Sequence, residues 1–116
     1  MDDVLIDTDV FVDTLRGSRG FLPGKAIVYY STITRAELFA GRHADEDGLR
    51  ALLAPLREIP VDRALAEEAG RLRRKSGVAL PDAIIAASAI THRLALVTRN
   101  HRDYTKIRGL RIVDPG

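Results

Sequence analysis

Short apolar runs alternate along the chain with stretches of helical periodicity, an order that predicts strands followed by helices. Runs with the length and residue types of strands occupy residues 4–7, 26–32, 57–61, 94–98 and 110–114. Between them, apolar residues recur at helical spacing, and Gly or Pro residues mark the ends of the segments. The predicted helices are residues 9–17, 34–41, 49–56, 62–77, 82–90 and 100–107.

This alternation predicts an α/β fold. Strands that are each followed by a helix form a parallel sheet with helices on both faces, so we expect a three-layer α/β/α arrangement around four to five mostly parallel strands. No linker, repeat or low-complexity segment interrupts the pattern, and we interpret residues 1–116 as a single domain.

The segment from Asp82 to Ile90 is almost wholly apolar, which predicts a buried helix. Together with Leu49, Leu52 and Leu53, it offers more apolar surface than one small core requires. We expect part of this surface to form a dimer interface or a partner-binding groove, and an ordinary core remains the alternative.

The amino-acid composition excludes cysteine-dependent sites and argues against a secreted or membrane protein. It has 116 residues, 46% of them hydrophobic, and no Cys, which excludes disulfides, thiolate zinc sites and a cysteine nucleophile. The apolar run after Met1 is too short for a signal peptide or a membrane span, so we expect a cytoplasmic protein without membrane contact.

Four acidic residues follow predicted strands or open a predicted helix. Asp7 ends the first strand, Glu37 is expected in the first turn after the second, Asp82 opens the apolar helix, and Asp103 follows the fourth strand. In a parallel sheet the carboxyl ends of the strands share one edge, where ligands bind. We therefore expect these four carboxylates to lie close together.

Helix capping offers a separate explanation for each acid. Asp7 suits an N-cap, Thr34 with Glu37 fits a capping box, and Asn100 precedes Asp103 as a cap with an acid in the first turn. Capping gives no reason to gather the acids, because like charges at about 5 Å repel by roughly 3 kcal/mol at an effective dielectric near 20. We expect this repulsion to raise at least one carboxylate pKa in the metal-free protein.

A divalent cation would explain the gathering. Carboxylate oxygens suit Mg²⁺ or Mn²⁺, ions that take carboxylates, waters and phosphate oxygens as ligands. Such ions stabilise a reacting phosphate and activate water, so the four acids predict phosphodiester hydrolysis.

Three rival motifs are weaker. The segment Gly20–Lys25 resembles a phosphate-binding loop, but its glycine spacing is one residue short and Ala26 replaces the required Ser or Thr. Asp7 and Asp9 match the D-x-D opening of haloacid-dehalogenase phosphatases, although the late acidic motif of that fold is missing. The three histidines lack metal-binding spacing, and we interpret His43, His92 and His101 as surface residues.

The chain resembles the VapC toxins, PIN-domain ribonucleases of type II toxin–antitoxin pairs. The similarity is carried in order by "LIDTDVFVD", "STITRAELFAG", "GVALPDAIIAASAI" and "LALVTRNHRDYTKIRGLRIVD". It implies a PIN-like fold and a metal-dependent endoribonuclease, usually a homodimer, inhibited by a small VapB-like antitoxin in a heterotetramer or larger complex.

Carried over by position, the resemblance assigns site residues. Asp7, Glu37, Asp82 and Asp103 match the acids of the family, Thr8 and Thr98 match its supporting hydroxyls, and Asn100 matches its polar residue before the fourth acid. Asp9 departs from the family pattern, which more often has Asn or Ser, and we expect it to cap a helix or support the site.

Two functions remain open beside the phosphatase. One is an active Mg²⁺-dependent ribonuclease, and the other is a PIN-like module that binds RNA or partners without cutting. In either case, we expect clustered arginines to contact RNA phosphates. The candidates are Arg73, Arg74, Arg99 and Arg102.

Overall fold

The structure is a computed structural model that describes residues 3–17 and 24–116. The five strands in these ranges are β1 (Val4–Ile6), β2 (Val28–Ser31), β3 (Arg57–Ile59), β4 (Ala95–Val97) and β5 (Ile112–Val113). The six helices described are α1 (Thr8–Leu15), α2 (Thr32–Phe39), α3 (Glu46–Leu53), α4 (Arg63–Ser76), α5 (Leu80–Thr91) and α6 (His101–Tyr104). Each predicted strand and helix is present.

The strands form one sheet in the order β3-β2-β1-β4-β5, and all neighbouring strands are parallel. The chain begins in the centre, builds outward through β2 and β3, and returns to place β4 on the other side of β1. The direction of the sheet order therefore reverses between β1 and β4. Ligands of open parallel sheets bind at such a point, outside the carboxyl ends of the strands.

Alternation along the central strands divides the core between the two faces of the sheet. Leu5 packs in one cluster with α4 and α5, whereas Val4 and Ile6 pack in the other with α1, α2 and α3. Successive strand side chains point to opposite faces, so a short buried strand supplies both layers. These layers confirm the three-layer α/β/α fold predicted from the sequence.

The apolar surface of α5 belongs to the core of this chain. Ile85 and its alanine neighbours are buried in the cluster shared with α4, and Leu49 and Leu53 of α3 are buried on the opposite face. Most of the apolar surface that we expected to bind a partner is therefore ordinary core, which was the alternative interpretation.

The predicted start of α2 was wrong by two residues. Ser31 caps the helix by accepting a hydrogen bond from the Ile33 amide at 3.2 Å, and Thr34 lies inside the helix, fully buried. Thr34 therefore forms no capping box, and Glu37 lies in the second turn. The helix starts early because Ser31 both ends β2 and provides the cap, which leaves no loop between them.

The rejected phosphate-loop motif lies partly outside the described residues. It starts at Gly20, and residues 20–23 are not described.

Within the described ranges, no helix is both long enough and apolar enough to cross a membrane.

Two glycines at α4 provide a test of its predicted C-terminus. Gly77 ends the helix with φ of 77°, while Gly70 lies within it, and an added Cβ would meet no atom within 4 Å at either position. We expect Gly77→Ala to lower the free energy of unfolding by about 1 kcal/mol, because an L-residue is strained at that φ. Gly70→Ala should raise it by up to about 1 kcal/mol. Urea unfolding measures both, and changes of equal sign would contradict the assignment.

Candidate functional site

A cavity of about 360 Å³ lies where β1 and β4 end. It is lined by Asp7, Thr8, Asp9, Val12, Asp13, Arg16, Glu37, Asp82 and Asn100. Three of the four predicted acids thus meet at one opening, although they come from β1, α2 and α5. Asp103 does not line this cavity.

Asp7 is the innermost of these acids. β1 runs directly into α1, so Asp7 both ends the strand and caps the helix, and its side chain is only 5% exposed. Its Oδ1 accepts from the Thr8 amide at 2.8 Å, and its Oδ2 accepts from the Thr98 hydroxyl at 2.8 Å. The parallel pairing of Ile6 with Val97 places Asp7 beside Thr98, which explains why these two residues meet.

Asp9 joins α1 to the segment after β4. Its Oδ2 accepts from the Arg99 amide at 3.1 Å and lies 3.2 Å from the Thr98 hydroxyl, while its Oδ1 is buried without a hydrogen-bond partner. This geometry fits the supporting role expected for Asp9.

Glu37 is held by a hydrogen bond from Thr8, and Thr8 is in turn hydrogen-bonded to Thr34. The Thr8 hydroxyl donates to Glu37 Oε1 at 2.7 Å and lies 2.9 Å from the hydroxyl of Thr34. Because the Thr8 proton is directed to Glu37, Thr34 is the donor to Thr8. The buried Thr34 therefore packs in the core and also fixes the position of the Thr8 hydroxyl at the site.

Asp82 enters from the first turn of α5 and is half-buried. The hydroxyl of Tyr104 donates to Asp82 Oδ1 at 3.3 Å, and the tyrosine itself is fully buried. Sequence reasoning missed Tyr104, because an aromatic residue in a short amphipathic segment is indistinguishable from ordinary core.

Asp103 lies at the margin of the site. Asn100 caps α6 by accepting from the Asp103 amide at 3.3 Å, and its side-chain amide donates to Asp103 Oδ2 at 3.3 Å. The ammonium of Lys106 lies 3.7 Å from the other carboxylate oxygen. The predicted cap and acid are confirmed, and Asp103 contacts these partners instead of lining the cavity.

Burial and mutual repulsion raise the carboxylate pKa values. Burial, followed by the charge of Asp9, raises the pKa of Asp7 to about 6. Burial also raises the pKa of Asp82, and the charges of Asp103, Glu37 and Asp9 add to the rise. The expectation of a raised carboxylate pKa is confirmed, but its largest cause is burial and not repulsion.

Of the four predicted arginines, Arg99 lies near the cavity and Arg73 is used elsewhere. Arg99 forms an ion pair with Asp13 at the cavity, whereas Arg73 donates to the carbonyls of Gly77 and Val78 at 3.0 and 2.7 Å. Arg73 therefore closes the turn after α4. The remaining two predicted arginines, Arg74 and Arg102, are exposed.

Arg16 lines the cavity and was not predicted. The spacing of Asp9, Asp13 and Arg16 by four and three residues places them on one face of a helix, and this signal could have identified it. Among the described residues that line this otherwise acidic opening, Arg16 is the one basic residue.

A second, larger cavity of about 850 Å³ adjoins the first along α1, α2 and α3. Val12, Arg16 and Glu37 line both cavities. Its other lining includes Leu15, Leu38 and Leu49, and Leu15 is 53% exposed. An apolar groove therefore runs directly into the acidic opening.

The acidic cavity fits Mg²⁺ or Mn²⁺ in the chemistry of its donors, which are carboxylate, hydroxyl and amide oxygens. Across residues 3–17 and 24–116, no three His, Asp or Glu side chains are close enough to surround one ion. Mg²⁺ does not require such a cage, because it keeps several waters and binds through one or two carboxylates and substrate phosphates. The unpartnered Oδ1 of Asp9 adds a further oxygen without a hydrogen bond.

The histidines contribute little to the acidic cavity. His43 and His92 are exposed, as predicted, and His43 lines the apolar groove. His101 is partly buried, with its Nε2 at 4.0 Å from Asp114 Oδ2.

Comparison with protein families matches the PIN domain over residues 4–110, so the chain belongs to the PIN-domain family. A search of curated proteins finds no significant match.

Several solved structures of toxin–antitoxin complexes contain chains that are similar to this one. A chain of a toxin–antitoxin complex from Klebsiella pneumoniae is 32% identical, covers 98% of both chains and superposes with a TM-score of 0.84. A DNA-bound VapBC complex from Salmonella typhimurium contains a chain that is 22% identical over the full length of both, with a TM-score of 0.84. The VapBC2 complex of Rickettsia felis, bound to promoter DNA, matches at 20% identity and 0.80, covering 96% of this chain and 97% of that one.

The last two comparisons show the fold alone. The family match and the Klebsiella chain confirm the resemblance to PIN-domain toxins of toxin–antitoxin pairs. The phosphatase alternative has no support.

Neutralising Asp7 should stabilise the metal-free protein in a pH-dependent way. A folded pKa of about 6 against 3.8 means that the native state binds more protons, so the free energy of unfolding falls as pH rises through this interval. Above pH 6 the penalty is complete, about 3 kcal/mol. We expect Asp7→Asn to raise the melting temperature in EDTA at pH 7.5 by several degrees, and this gain should vanish near pH 4.

The control is Asp62→Asn, which neutralises an exposed N-cap of α4 outside the site. It should show no comparable gain. Thermal unfolding from pH 4 to 8 decides the matter, and an Asp7→Asn protein that melts below wild type throughout contradicts the assigned pKa.

Proposed function

We propose that this protein is a toxin that cleaves RNA with Mg²⁺, or with Mn²⁺ in its place. The observation that carries the proposal is the meeting of Asp7, Glu37 and Asp82 at the point where the sheet order reverses. Three carboxylates from separate elements, two of them with raised pKa values, are destabilising unless a cation binds there.

One or two of the Asp7, Glu37 and Asp82 carboxylates would hold the cation directly and the rest through its bound waters, and Asp103 would act from the margin through its charge. When bound, the metal ion supplies charge that stabilises the reacting phosphate and lowers the pKa of the attacking water. Thr98 and Thr8 orient the Asp7 and Glu37 carboxylates by hydrogen bonds at 2.8 and 2.7 Å. The site therefore offers oriented oxygens before substrate arrives, which removes part of the cost of reorganisation.

The guanidinium of Arg16 and the Arg99–Asp13 pair lie at the rim, where phosphates flanking the cleaved bond would pass. Arginine suits this position because its planar fork binds phosphate through two donors. We expect unpaired RNA as the substrate, since an open cleft can admit a splayed strand and sequence-specific recognition mostly targets single-stranded regions.

A small VapB-like antitoxin is the proposed partner. The complexes with similar chains are described as toxin–antitoxin or VapBC complexes, and two of those compared are bound to DNA. In this chain the apolar groove leads into the acidic cavity, so an amphipathic segment could bury its apolar face there and extend an Arg or Lys toward Asp7 and Asp82. We propose a homodimer that binds antitoxin as a heterotetramer or larger complex.

A PIN-like module that binds RNA without cutting is the competing function. Arg16 and Arg99 would serve such a module, but the acids between them would repel the RNA phosphates. The acidic cavity is therefore better explained by cleavage than by binding alone.

Cleavage should depend on the acids in a graded way. Asp7→Asn, Glu37→Gln and Asp82→Asn should abolish Mg²⁺-dependent cleavage of an unstructured RNA, because each of these residues lines the cavity. Asp103→Asn should retain activity reduced by about 10- to 100-fold, as expected for a group that acts through neighbours. Gel analysis of labelled RNA with Mg²⁺ or EDTA measures this.

Asp62→Asn is again the matched control and should cleave like wild type. Full wild-type cleavage in EDTA would exclude a metal-dependent reaction. RNA binding without cleavage at any metal concentration would instead favour the binding module.

The partner proposal is tested at two exposed leucines. Leu15 is 53% exposed and lines the groove, whereas Leu80 is 51% exposed and does not. We expect Leu15→Asp to prevent formation of a complex with the small protein co-encoded beside it, because the new charge would lose hydration on burial. Leu80→Asp should leave the complex intact.

Size-exclusion chromatography with light scattering after co-expression measures both variants. Equal complex formation by the two would place the partner elsewhere. The variants should melt like wild type, since neither leucine is buried.

A further inference from the structure

Tyr104 is a fully buried tyrosine whose hydroxyl faces the acids. The short helix α6 ends at this residue and places its ring in the core cluster that contains Leu5 and α5. The hydroxyl donates to Asp82 Oδ1 at 3.3 Å and is near enough to Asp7 to lower the pKa of that carboxyl. The phenol therefore links α6 to a carboxylate of a different element, α5.

Asp82 depends on this contact for its orientation. It lies in the first turn of α5, where its backbone is fixed but its side chain can rotate. Among the described residues, Tyr104 is the one hydrogen-bond donor to the Asp82 carboxylate. Asp7 and Glu37, by contrast, are held by threonine hydroxyls.

The phenol is suited to this task. Burial raises the pKa of Tyr104, and the neighbouring charges of Asp7 and Asp82 raise it further, so the hydroxyl keeps its proton and remains a donor. The ring is clamped by the core, which fixes the position of the oxygen. A lysine in this place would hold the acids as well, but its charge would compete with a metal ion.

We infer that Tyr104 is a positioning residue, whose hydroxyl holds the Asp82 carboxylate beside Asp7 so that both bind the same cation. The inference rests on the proposed function and adds a residue to its site. Tyr104 itself would contact neither RNA nor metal and would act only through Asp82. Carboxylate ligands are commonly oriented by such hydrogen bonds, and their loss weakens metal binding about 10- to 100-fold.

Tyr104→Phe removes the hydroxyl and leaves the packed ring. We expect Mn²⁺, titrated alone in a calorimeter, to bind this variant at least about tenfold more weakly than wild type. The matched control is Tyr30→Phe. Tyr30 is 1% exposed and its hydroxyl donates to Glu58 at 2.9 Å, outside the site. Its loss should lower stability and leave Mn²⁺ affinity unchanged.

A double-mutant cycle without metal separates positioning from packing. If the hydroxyl acts through Asp82, Tyr104→Phe should destabilise the wild type more than it destabilises Asp82→Ala, as measured by urea unfolding in EDTA. The same cycle with Tyr30→Phe should be additive.

The outcomes are distinct. An additive Tyr104–Asp82 cycle, or Mn²⁺ affinity unchanged or tighter in Tyr104→Phe, overturns the inference. A wild type that binds no Mn²⁺ overturns the proposed metal site instead, and the cycle then decides alone whether Tyr104 positions Asp82.

Discussion

The Asp7 carboxylate is buried at the end of the central strand, and an amide and a hydroxyl hold it there. This arrangement constrains the rest of the site. The pairing of β1 with β4 must bring Thr98 within 2.8 Å, and α1 must begin at once so that the Thr8 amide is free to donate. Neutral donors satisfy the hydrogen bonds of a buried carboxylate but leave its charge poorly compensated, which is why its pKa rises. A cation is the group that would compensate this charge best.

Hydroxyl groups link the remaining acids to the fold. Thr98 lies between Asp7 and Asp9, Thr8 connects Glu37 to the buried Thr34, and Tyr104 reaches Asp82. Each carboxylate is thus oriented by a side chain that is itself packed in the core or at its edge. Buried carboxylates held in this way lower the free energy of unfolding of the metal-free protein, but their oxygens are already oriented. Such a loss of stability is common at functional sites. Asp103, at the margin of the site, is oriented differently, because the ammonium of Lys106 lies 3.7 Å from its carboxylate.

Under the proposed function, the two adjoining cavities place the cleavage site and the partner-binding groove side by side. Val12, Arg16 and Glu37 line both, so a segment that filled the apolar groove would necessarily approach the acids. Inhibition would then need no conformational change in the toxin, only a basic side chain long enough to enter the opening. Under the proposed function, RNA and the antitoxin would both approach Arg16, because this residue lines both cavities.

Local patterns determined much of this protein. Alternating strands and helices specified the three-layer sheet, and caps such as Asp62 and Gly77 lie where the sequence placed them, because both depend on contacts within a few residues. The sheet edge also brought Asp7, Glu37 and Asp82 together as predicted, since parallel strands share their carboxyl ends. Tertiary structure alone decided that Thr34 supports Thr8 instead of capping α2 and that the apolar surface of α5 packs in this chain's own core and not against a partner. It also decided that Asp103 remains outside the cavity and that Tyr104 faces Asp82. These outcomes depend on distances between segments far apart in the chain, and periodicity carries no information about such distances.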